Sequence, residues 1–268
     1  MGLGNYIEAG KIDALGRLDS PIHRLDARAK ILTTAAFILV VMSFGRYEVA
    51  ALTPLFLYPF ALASRGHIPA GYLLGKIALA APFAVFVGIF NPVLDRQTMG
   101  MLGSWPIAAG WFSFASILLR FVLTVSAGLI LIATTGIHSL CAALVQLGVP
   151  RVFAVQLLFL HRYFFVIGDE GRRMLRSAEM RTEGTRRLSL HTYGTLTGHL
   201  LLRSMDRAQR IYRAMVSRGF EGEVHLLRQR AGGRNDVAFF VAWGAFFLLA
   251  RQCNLAGVWE RWISGGGL

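Results

Sequence analysis

Apolar residues in this chain gather into long runs instead of alternating with polar ones, and the runs approach the length of membrane helices. Four occupy the first half. Ile31–Phe44 is short, but Lys30 snorkelling at one end and Gly45 at the other let it nearly span a bilayer. Val49–Ser64 holds Pro54 and Pro59, which predict kinks. Tyr72–Phe90 carries Lys76 near its start and stops at Asn91-Pro92, and Phe112–Ile137 contains Arg120 about two turns in. A fifth run, Val237–Ala250, lies near the C-terminus. Between them the pattern changes. Ser139–Leu147 is apolar enough for a membrane surface and ends at the turn signal Gly148-Val149-Pro150. Val152–Glu183 predicts a long helix, apolar first and charged later, and Arg186-Arg187 with Leu188–Thr192 predicts a break. Leu196–Ser217 is then amphipathic: Leu201, Met205, Ala208, Tyr212 and Met215 form one stripe, and Arg203, Arg207 and Arg210 another.

Composition agrees with a bilayer setting. The chain is 54% hydrophobic and 16% charged yet carries a net charge of +13, with a mean hydropathy of +0.51. From Arg151 to Arg234 there are sixteen arginines and seven acids, nine of the thirteen net charges, which assigns this segment to the cytoplasm. Counting back over four spans also puts the N-terminus inside, with Arg17, Arg24, Arg28 and Lys30. The Asn91–Trp111 connection is then outside. Met1–Arg28 lacks the order of a signal peptide, so the first span is expected to act as its own insertion signal. The expected architecture is all-α: a multi-pass helical bundle of about five spans in the cell inner membrane, with a cytoplasmic module of amphipathic helices. Its divisions fall at 1–137, 138–234 and 235–268.

Familiar catalytic patterns are absent. Gly75-Lys76-Ile77 lacks the distal Gly and the Ser/Thr of a phosphate loop, so ATP hydrolysis is not expected of this chain. There is no HExxH, EF-hand loop or GxSxG, and no carboxylate pair sits inside a span. Cys141 and Cys253 are solitary, and the seven histidines are dispersed, with His191 and His199 too far apart to read as a ligand pair. No cofactor, resident metal or nucleic-acid partner is expected. Arg120 and Lys76 have two readings, an ion or substrate path or snorkelling to the interface, and their nearness to span ends favours the second.

One segment recurs in blurred copy: Arg173–Gly184 lies over Arg210–Gly222. In each copy an Arg (176, 213) precedes a small residue (Ser177, Ala214), and another Arg (181, 218) follows four positions later on the same helix face. Gly219 then suits a helix C-terminus. Attraction to anionic lipid accounts for a basic juxtamembrane helix in general. It does not require a small residue four positions before an Arg, so the paired spacing favours two similar acceptor sites on a partner.

At these residues the chain resembles the transmembrane T component of energy-coupling factor transporters, most closely the cobalt-type Q subunit (CbiQ family). Ser20–Lys30 resembles that family's entry into its first span, with Ala27 in place of the usual Pro, and Ser43–Tyr47 resembles the end of that span. Leu147–Pro150 with Arg162-Tyr163-Phe164 resembles the start of the cytoplasmic module. Leu202–Arg207 through Ala214–Phe220 resembles its second coupling helix. The resemblance implies a non-catalytic coupling subunit of an ATP-driven importer for a transition-metal ion, cobalt ahead of nickel. It implies two partners besides the bilayer, an ATPase dimer and a substrate-binding membrane subunit. Ala214, Arg218 and Gly219 match one ATPase-docking motif; Ser177 or Ala178 with Arg181 matches the other, with Thr182 where Gly is expected. The stripe of Leu201, Met205, Ala208, Tyr212 and Met215 is then the expected contact for the substrate subunit. A vitamin importer of the same fold and an integral membrane lipid-modifying enzyme are the alternatives.

Overall fold

The computed structural model describes residues 20–45, 49–91, 98–102, 105–181, 188–222 and 233–252. They fall into two compact units, one drawn from Ile7–Gly136 and Arg230–Leu268, the other from Ile137–Gln229. In the first, helix α1 spans Ala27–Ser43. It starts four residues before Ile31 because Asp26 caps it, its side chain accepting the Arg28 N–H at 3.0 Å. The Asp26 N–H in turn donates to Asp236 Oδ1 at 2.8 Å.

The second apolar run is broken into α2 (Val49–Leu52), a 3₁₀ turn (Thr53–Phe56) and α3 (Leu57–Arg65). Pro54 opens the 3₁₀ turn, as its missing N–H requires. Pro59 leaves α3 intact because it lies in the first turn, where no intrahelical N–H bond is needed. At the end of α3, the N–H groups of His67 and Ile68 donate back to the Ser64 and Ala63 carbonyls, while His67 takes φ 52°. That is the left-handed position where glycine is favoured. His67→Gly is therefore expected to stabilise the fold by about 0.5–1 kcal/mol, read as a raised thermal midpoint in detergent.

Helix α4 (Ala70–Gly88) accommodates Pro82. The expected outer connection contains a short antiparallel hairpin, β1 (Thr98–Leu102) and β2 (Trp105–Ala108), with Leu102 opposite Trp105. Helix α5 (Ala109–Thr135) follows directly, and the C-terminal run forms a helix over Arg234–Gln252, numbered α9 below. The core is aromatic. Phe37 of α1 stacks on Tyr58 of α3 at 4.5 Å, Trp243 and Phe247 of the C-terminal helix close around the pair, and Tyr58 Oη meets Thr34 Oγ1 at 3.0 Å. Each such ring pair adds about 0.5–1.5 kcal/mol beyond its buried area.

Two cations tie α1 to α5 reciprocally. Lys30 is buried and does not snorkel; its Nζ donates to the Thr134 carbonyl at the C-terminal end of α5, 2.9 Å away. Arg120 of α5 donates to the Phe44 and Gly45 carbonyls just past α1, at 3.0 and 2.6 Å. Cations are favoured at both places, since carbonyls left without intrahelical partners concentrate negative potential there. Arg120 thus serves as a helix cap, and Arg251 covers the Phe44 ring from 4.9 Å.

The second unit contains α6 (Ile137–Gln146), α7 (Arg151–Arg181) and α8 (Leu190–Val216), which completes the numbering up to α9. Gly148, at φ 99°, ends α6 by donating to the Val145 carbonyl while Val149 donates to Leu144. Helix α8 starts before the expected Leu196 because Ser189 caps it, accepting the Thr192 N–H at 3.2 Å. The segment expected to break the chain is thus helical from Leu190, while residues 182–187, including the motif position Thr182, lie outside the described residues.

By length and composition, three helices among the described residues can cross a membrane: Ala70–Gly88, Gly110–Thr135 and Arg151–Arg181. This differs from the five runs of the sequence in two ways. Helix α1 has only 17 residues, the second run is interrupted at Pro54 and the C-terminal helix is not among the three, whereas α7, expected at the cytoplasmic face, is apolar enough through its first half.

Candidate functional site

The echoed motifs end α7 and α8. Arg181 is the last residue of α7 and is exposed, and Ser177 one turn earlier donates its hydroxyl to the Arg173 carbonyl at 2.9 Å. Ala178, next to it, is half-buried. In α8 the end is built more completely. Gly219 takes φ 79°, its N–H donates to the Val216 carbonyl, and the Phe220 N–H reaches back to Met215. This double closure needs a residue without Cβ strain at position 219 and leaves Ala214 and Arg218 exposed. The Phe220 ring folds back toward Phe159 of α7, at a centroid distance of 6.4 Å, which anchors the terminus.

The two helices are held together by polar and apolar contacts. Glu170 of α7, its side chain only 17% exposed, accepts from Arg207 at 2.6 Å and from Arg203 at 3.1 Å, both on α8, while Arg173 lies 3.6 Å away. Asp169 pairs with Arg172 alongside. Gly171 permits the close approach: a Cβ there would sit 3.3 Å from Leu200 Cδ2. Between the helices runs an apolar groove of 670 Å³ whose walls include Phe159, Tyr163 and Ile167 from α7 and Ile211 and Met215 from α8.

This geometry divides the residues picked out from sequence. Of the stripe, Leu201, Met205, Ala208 and Tyr212 are exposed and Met215 is half-buried, and Ala208 and Met215 line the groove toward α7. Of the basic stripe, Arg203 and Arg207 are committed to Glu170. Glu170 itself escaped the sequence reading. A signal for it existed: extending the echo three residues towards the N-terminus sets Glu170 against Arg207. Among the described residues no three His, Cys, Asp or Glu side chains come together as a metal-binding group.

Long apolar helices joined to a paired, basic, amphipathic helix unit are the architecture of an all-α membrane protein. A family model described as "Cobalt transport protein" (CbiQ) matches residues 19–226, a stretch that contains α1 through α8 and both motifs, and the chain belongs to that family. Two uncharacterized proteins of Methanocaldococcus jannaschii are similar to it. MJ1571 is 24% identical over 238 residues, covering 84% of this chain and 80% of the relative. MJ1089 is 28% identical over 127 residues, so the match spans 47% of each chain, about half the relative's length.

Proposed function

We propose that the chain is the non-catalytic coupling subunit of an ATP-driven importer of the energy-coupling factor type, carrying a transition-metal ion, with cobalt ahead of nickel. The observation that carries this reading is the family match, which runs unbroken through both arginine-bearing helices. In this account the basic unit and the N-terminus face the cytoplasm and the bundle lies in the cell inner membrane. Arg181 and Arg218, each exposed at a helix end, enter acidic grooves on the two subunits of an ATPase dimer, with Ser177, Ala178, Ala214 and Gly219 providing the close-packed approach. Arginine suits this task because its planar fork pairs with carboxylates in two places and keeps its charge. The exposed Leu201, Met205 and Tyr212 offer an apolar surface to a separate substrate-binding membrane subunit.

Uptake in cells lacking the chain tests the cargo. Co²⁺ accumulation is expected to fall to background and to return when the gene is restored. Loss of vitamin uptake, with Co²⁺ accumulation unchanged, would overturn the metal assignment.

A further inference from the structure

The Glu170–Arg207 contact joins positions 37 residues apart. That is the same interval that carries Arg173 onto Arg210 and Arg181 onto Arg218. Where a two-fold axis relates the copies of a repeat, equivalent positions that touch each other lie beside it. Gly171 of α7 lies against Leu200 of α8, and their equivalents, Ala208 and Tyr163, line the same groove. From Glu170 to Arg181 is eleven residues, as it is from Arg207 to Arg218. At the rise of an α-helix, each arm is roughly 16 Å long.

We propose that Glu170 is a positioning residue: with Arg207 it forms the fulcrum of a pseudo-two-fold lever whose equal arms place Arg181 and Arg218 in register with a two-fold partner. This rests on the coupling reading above and assigns to it a pivot. Opposite charges at the two equivalent positions let the axis carry an ion pair, where identical residues would repel or leave a gap. Glu170 gathers three guanidinium groups, two from α8 and one from its own helix. Removing its charge therefore turns the joint between the arms into a cluster of like charges.

The test uses the full-length chain with Cys141 and Cys253 replaced by Ser and spin labels at Met180→Cys and Ser217→Cys. These positions are equivalent and exposed, one on each arm. Electron-spin distance measurement is expected to give one narrow distribution in the parent and a broader, shifted one in Glu170→Gln. The exchange Glu170→Arg with Arg207→Glu is expected to restore the narrow distribution. The carboxylate, moved to position 207, would accept from the guanidinium now at position 170 and from Arg203 one turn away. In the assembled transporter, Glu170→Gln is expected to keep the ATPase bound but to lower metal transported per ATP hydrolysed several-fold, with recovery in the exchanged pair. An unchanged distribution in Glu170→Gln, or broadening that the exchange fails to reverse, overturns the fulcrum. If the parent chain recovers no ATPase, the coupling reading fails, and the distance measurement still decides the fulcrum by itself.

Discussion

Replacing Arg181 and Arg218 together by Glu is expected to abolish recovery of the ATPase dimer with the purified chain while leaving the chain folded in the membrane. Both side chains are exposed at helix ends, so neither reversal disturbs a core. Reversing a charge that pairs within an interface costs about 2–5 kcal/mol of association, and two such losses reduce affinity at least about a thousandfold. Arg218→Lys separates docking from simple attraction to lipid. It keeps the charge but loses the planar fork, so it is expected to weaken ATPase recovery, whereas a lipid surface would hardly distinguish the two residues. Undiminished assembly of the double variant, measured by co-purification, would remove both residues from the interface.

The second large effect lies in the bundle. Gly88 ends α4 where it crosses α5, and a Cβ there would sit 2.7 Å from Cδ2 of Phe114. Gly88→Val is expected to force the helices apart at a cost of about 1–3 kcal/mol, read as a lowered thermal midpoint in detergent. Phe114→Ala in the same chain removes the obstructing ring. The double variant is then expected to lose less than the two single losses combined, since contacting residues couple. Simple additivity would mean that the ring is not what limits the approach of α4.

How far the sequence anticipates this structure depends on the range of the interaction. Helix ends governed by one or two local residues are legible: Gly148 and Gly219 stop their helices, and Pro54 breaks the second apolar run. The all-α membrane class follows from hydropathy in the same way, and the family follows from the quoted motifs. The starts of α1 and α8 are misplaced because single side chains, Asp26 and Ser189, cap them upstream of the hydrophobic periodicity. Lys30 suggests a snorkelling lysine only while its acceptor is unknown, and that acceptor, the Thr134 carbonyl, is more than a hundred residues distant.

The candidate site shows the same limit. Helix α8 carries apolar residues on adjoining sides, Leu200 and Ile211 toward the groove and Leu201, Met205 and Tyr212 away from it. A periodicity argument identifies an apolar face but not which part of it a neighbouring helix takes. Glu170 is hidden for a related reason. Within a strongly basic stretch a single acid looks like one more solvated charge, until the repeat interval aligns it with Arg207.

ATP-driven Co²⁺ accumulation in proteoliposomes tests the central claim most directly. The ATPase and the substrate-binding subunit are held constant, and this chain is supplied as wild type, as Arg181→Glu with Arg218→Glu, or omitted. The account predicts accumulation only with the wild-type chain. Equal accumulation with the double variant, or without the chain, would contradict its role as the coupling subunit.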